Sequence, residues 1–100
     1  MEKYKSSLEK LFYVLNDDIK DGKDIFRMAK ECKEKGNVDV ASFLLQRAKT
    51  RLDMVEQTKT KIDSIMMSMT AHEDTPYKIF FEETIEWAME LRRRIMEYRI

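Results

Sequence analysis

Only three residues in this chain, Gly22, Gly36 and Pro76, interrupt regular helical backbone by their own covalent structure. A chain of 100 residues with so few of them lacks the material for the many tight turns of a sheet protein. Its elements must be few and long. Between the breakers the sequence is rich in Glu, Lys, Leu, Met and Arg, side chains that lose little freedom in a helix. The expected class is all-α, in a single domain covering residues 1–100.

Two places divide the chain. Gly36 suits the left-handed position that follows a helix end, and Asn37 can cap the next helix. From Thr70 to Pro76 lies the second division, with Thr75 as an N-cap and Pro76 in a first turn that needs no backbone donor. The predicted helices are Lys3–Lys35, Val38–Met69 and Pro76–Arg99. Short connections force neighbours to run antiparallel, which gives an up-down-up bundle. Asn16, Asp17, Asp18, Asp21 and Gly22 are poor helix formers. They either kink the first helix or break it near residues 16–24, the latter giving a four-helix variant. The kinked single helix is preferred, because the apolar phase runs unbroken from Leu15 through Ile19 to Phe26.

Apolar residues recur at spacings of three and four in all three segments. Tyr4, Leu8, Leu11, Leu15, Ile19, Gly22, Phe26 and Ala29 form the first seam. Ala41, Leu45, Ala48, Leu52, Val55, Ile62, Ile65 and Met69 form the second, interrupted at Thr58 and Lys59. Tyr77, Phe81, Thr84, Ala88, Leu91, Ile95 and Tyr98 form the third. Such seams pack as in a coiled coil. The third segment carries more than its seam: Ile85, Met89, Met96 and Ile100 lie on one flank, Phe80 and Trp87 on the other. A peripheral helix needs an apolar stripe only somewhat wider than about 100°. The excess points to a homo-oligomer formed mainly through Phe80, Trp87, Met89, Met96 and Ile100, with another helical protein as a second kind of partner. Tyr13, Val14, Met28, Phe43, Met54 and Met67 add apolar surface away from the other two seams.

The 19 basic and 19 acidic residues cancel and are interspersed, so the chain lacks the basic excess of a nucleic-acid binder. No run approaches the length of a membrane span. The start of the chain has no apolar core of a secretory signal, and the single Cys32 cannot form an internal disulfide. A reducing, cytoplasmic setting is expected.

Motifs for chemistry are scarce. A ferritin-like di-iron bundle needs Glu-x-x-His facing further carboxylates. Where that motif would fall, Arg51 and Met54 hold the ligand places, and neither side chain suits iron. His72, Glu73 and Asp74 read as solvated turn residues before a helix rather than a metal site, and Cys32 as an inert, half-buried thiol. Neither catalytic residues, metal ligands nor a cofactor are expected.

Three charged residues fall on apolar stripes: Asp18 in the first helix, Arg51 in the second and Arg92 in the third. An antiparallel hairpin turning at Gly36 brings Asp18 opposite Arg51, which predicts a partly buried ion pair with Gly22 making room for it. Removing one partner of a buried pair costs ~3–5 kcal/mol. Arg93 and Arg94 fall on the polar side, while the cluster from Ile65 to Met69 is expected to close one end of the bundle against Tyr77, Phe80 and Phe81. The functional expectation is a non-enzymatic, self-assembling bundle acting as a scaffold or small adaptor. The alternative is an inter-subunit site near Arg51 and Arg92 for an anionic or phosphorylated, nucleotide-like small molecule, with or without catalysis.

Overall fold

In the computed structural model, Glu2–Glu34 form one uninterrupted helix of 33 residues, α1. Val38–Met67 form α2 and Ala71–Glu97 form α3. Residues 2–69 and 71–100 are described, with side chains for 4–69 and 76–100, and no strand occurs among them.

The four-helix variant is not what forms. The polar stretch from Asn16 to Asp24 stays helical because Leu15, Ile19, Gly22 and Phe26 within and around it are all buried. Burial of that face outweighs weak local propensity, as is usual for helices inside proteins. At the far end of α1, Gly36 takes φ +80°. The Asn37 N–H donates to the Cys32 carbonyl at 2.9 Å and the Gly36 N–H to the Lys33 carbonyl at 3.0 Å. These two bonds are a Schellman cap, and glycine allows it without a Cβ penalty. Asn37 holds the N-cap position of α2 but makes no side-chain capping bond.

The third helix begins earlier than the sequence suggests. It starts at Ala71, so Pro76 lies inside it and Thr75 is not its cap. Proline takes one donor out of the ladder, and in the second turn that cost falls close to an end. With α2 ending at Met67 and α3 starting at Ala71, the two helices are closer in sequence than the pattern suggests.

Cross-helix contacts give the sense of each pair. Only residues 35–37 separate α1 from α2, and the two helices pack along their length, so they run antiparallel. Met89 lies beside Val55 and Glu56, and Met96 beside Gln46 and Lys49, so α2 and α3 do too. Phe12 packs on Phe80 and Phe26 on Tyr98, which makes α1 and α3 parallel. Backbone approach is closest between α1 and α2, where Gly22, Ala29, Ala41 and Ala48 on the seams are small and buried. Small contact residues let helix axes approach; the α3 seam, with Phe81, Leu91 and Ile95, keeps its neighbours farther off.

The core follows the three seams with two corrections. Thr58 is buried and continues the α2 seam where an interruption was expected. Its hydroxyl donates to the Met54 carbonyl one turn back, at 3.3 Å, so its polar atom is satisfied within the helix. Phe12, outside the predicted seam, is buried at one end of the bundle with Tyr77, Phe80 and Phe81 around it at centroid distances of 6.1, 5.2 and 6.3 Å. Ile65, Met66 and Met69 pack partly against the core there, while Met67 points outward at 86% exposure.

Candidate functional site on the third helix

Every predicted interface residue on α3 and just beyond it is exposed. Phe80 and Trp87 each keep 44% of their accessible surface, Met89 58%, Met96 52% and Ile100 38%. They do not form one face. A step of two residues turns the helix by about 200°, so Trp87 and Met89 project to nearly opposite sides. Phe80 and Trp87 flank α1: the Phe80 ring meets Phe12 edge-on, and the Lys23 ammonium lies 5.9 Å from the Trp87 ring. Met89 and Met96 flank α2, each lining a shallow cleft there, with Arg92 contributing to both clefts.

Arg92 is half-exposed and sits among these methionines with its charge engaged. One guanidinium nitrogen lies 3.5 Å from Asp53 Oδ1 and the other 3.9 Å from Glu56 Oε1. Arg51 is held on the other side of α2, with Nη1 donating to Asp18 Oδ1 at 3.4 Å and Nη2 3.9 Å from Asp21 Oδ2. Arg51 and Asp53 are two residues apart and project to nearly opposite sides of α2. Within one chain Arg51 and Arg92 therefore lie on different sides of α2, and each faces two carboxylates.

Asp18 is 5% exposed, and its Oδ2 is buried with no hydrogen-bond partner among the described residues. Burial pushes its carboxyl above the ordinary value; Arg51 pulls it down by less, and Asp17 and Asp21 add to the rise. At 3.4 Å the contact with Arg51 is long for a charge-assisted bond, which falls near 2.7–2.9 Å. The space left by Gly22 serves a different neighbour than expected. A Cβ there would fall 2.5 Å from Leu52 Cδ2, and only 3.8 Å from the nearest Arg51 atom in range. Glycine is required for the leucine to enter.

A grouping that the sequence reading missed lies between α1 and α3. Lys23, Arg27 and Lys30 from α1 and Arg94 from α3 line a cleft of about 340 Å³ with Trp87 and Phe26. The signal was present as basic residues at i, i+4 and i+7 on α1, but nothing local says that Trp87 and Arg94 face them. Lys30 lies 4.6 Å from the Phe26 ring, and Lys33, just beyond, lies 4.9 Å from the Tyr98 ring and donates to the Arg99 carbonyl.

Among the described residues no group of three or more His, Cys, Asp or Glu side chains could hold a metal ion. The side chains of His72, Glu73, Asp74 and Thr75 lie outside the described residues. Cys32 is a half-buried free thiol. Among the described residues no helix is long and apolar enough to cross a membrane. No protein-family model, curated protein or solved structure matches the chain.

Proposed function

We propose that this chain is a non-enzymatic, self-assembling helical bundle, a scaffold or small adaptor whose copies meet on the α2-side flank of α3. The observation that carries this reading is the exposure of Met89 and Met96, each more than half open, one on either side of Arg92. Stripes of large apolar side chains at helical spacing are costly to leave in water, at about 25 cal/mol per Å². The molecule is also drawn out, with principal extents of 53 × 19 × 15 Å and 6871 Å² of accessible surface. A folded monomer of 12.0 kDa exposes about 6,000 Å². The excess is what a subunit carries when part of its surface is meant for a copy of itself.

The pattern suits a two-fold contact. In an antiparallel pair of α3 helices centred beside Arg92, Met89 of one copy faces Met96 of the other, and Ile85 faces the chain end near Ile100. Each Arg92 enters that seam already paired with Asp53 and Glu56, so no bare cation is buried. The Phe80 and Trp87 flank is left out of the contact because α1 already covers part of it.

Light scattering tests the reading. The expected mass at micromolar concentration is at least twice 12.0 kDa. Met96→Glu should return a monomer with its helical circular dichroism intact, whereas Trp87→Glu, on the opposite flank, should leave the mass unchanged. A monodisperse wild-type monomer overturns the proposal.

A further inference from the structure

We propose that the cleft between α1 and α3 binds an aromatic anion of the nucleotide class, its ring against Trp87 and its phosphates on Lys23, Arg27, Lys30 and Arg94. This inference is independent of self-assembly, because Trp87 and Met89 lie on opposite sides of α3.

Charge comes first. The chain as a whole is neutral, yet four cations line this cleft against two carboxylates, Asp24 and Glu90. The cleft between α2 and α3 is of similar size, about 360 Å³, and is the opposite case, with Lys59 and Lys78 facing Asp63, Glu82 and Glu86. Only the α1–α3 cleft of this pair carries a field that attracts an anion.

The cations are also available. Glu90 is occupied from outside the cleft: Arg93 Nε donates to it at 3.0 Å, and this bond is the leading reason its carboxyl stays below the ordinary range. Arg94 touches Glu90 at 3.2 Å but keeps 66% of its side chain exposed. Arg27 and Glu31 approach to 3.6 Å with both side chains more than half exposed, a kind of pair that water screens and that contributes little. A phosphate offering bidentate acceptors outcompetes such partners.

The third element is a flat apolar surface at the right place. The Trp87 indole is half-exposed, with Lys23 at its face, and Phe26 lies in the floor. A base stacks on such an aromatic face through its own π surface, whatever its sequence identity. Lys23 to Lys30 spans about 10 Å along the helix, the length over which a base, sugar and phosphate chain extend. A volume of about 340 Å³ lies at the lower end for small-molecule sites.

Trp87 is the only tryptophan, so it reports directly on the cleft. ATP is the probe, titrated at low ionic strength and followed by Trp87 fluorescence and by calorimetry, with tripolyphosphate, adenosine and added salt as the other arms. The expected result is saturable quenching by ATP with matching heat, weakened by salt, and weaker binding of both tripolyphosphate and adenosine. The Lys23→Ala/Arg27→Ala double variant should bind ATP at least about tenfold more weakly with unchanged circular dichroism. Lys59→Ala/Lys78→Ala should bind it as the wild type does. No saturable signal with millimolar ATP overturns the proposal, as does equal weakening in the Lys59/Lys78 control, which would mean diffuse charge. Tripolyphosphate binding as tightly as ATP removes the ring from Trp87, and adenosine binding as tightly removes the phosphates from the basic row; either result refutes the assigned ligand class.

Discussion

Gly22→Ala places one methyl group at the closest approach of α1 and α2. The new Cβ would lie 2.5 Å from Leu52 Cδ2 and 3.6 Å from Leu52 Cγ. Carbon atoms sit comfortably at about 3.5–4.0 Å, so roughly 1 Å has to be found by moving Leu52 or the helices. Leu52 is 2% exposed and surrounded by core, so its movement disturbs packing. Overpacking of this kind costs about 1–3 kcal/mol. Against it, alanine is favoured over glycine inside a helix by about 1 kcal/mol. The net expectation is a loss of about 1 kcal/mol, seen as a fall in melting temperature of about 4–8 °C. The sharper test is the cycle with Leu52→Ala, which by itself costs about 2–5 kcal/mol through the cavity it leaves. In that background the clashing Cδ2 is gone, and Gly22→Ala should become stabilising by about 0.5–1 kcal/mol. Urea denaturation of the four proteins at one protein concentration measures the coupling. A change in stability of equal size and sign in both backgrounds refutes the close approach.

The buried carboxyl of Asp18 gives a pH test. Its value in the folded chain is raised above the ordinary 3.8, so the ionised form opposes folding at neutral pH. That penalty is relieved as pH falls through the raised value toward 3.8, where both states become protonated. Asp18→Asn should therefore raise stability at pH 7 by up to about 1 kcal/mol and lose this advantage on acidification; a gap that widens as pH falls contradicts the assignment. Arg51→Met should cost less than the ~3–5 kcal/mol of breaking a fully buried pair, because the contact is long at 3.4 Å and a third of the Arg51 side chain is already exposed. A loss of 3 kcal/mol or more at pH 7 in urea denaturation (on the order of that whole range) argues for a tighter pair. Thr58→Val should change stability by less than about 1 kcal/mol, since the hydroxyl bonds only to its own helix at Met54; thermal unfolding checks it, and a larger loss would mean that the hydroxyl holds a neighbouring helix.

Helical periodicity is a local property, and what depends on it could be read directly from the chain. The α3 seam from Phe81 to Ile95 is buried as its spacing requires, and the turn at Gly36 needs only the two bonds of its own cap. The meeting of Asp18 with Arg51 also followed, because two antiparallel helices joined at a known turn fix which residues lie opposite. Local rules failed where two opposed effects differed by little. By local rules Pro76 marks a helix start, yet one lost donor near an end costs less than α3 gains by extending back to Ala71. By pattern Thr58 breaks its seam, yet a threonine that bonds backward along its own helix buries almost like valine. Other features exist only between helices. That Gly22 admits Leu52, that Arg92 turns to Asp53 and Glu56, and that Trp87 meets the basic row of α1 all depend on the distance and rotation of neighbouring helices. Those two quantities are set by how side chains from different segments interlock, which no single segment contains.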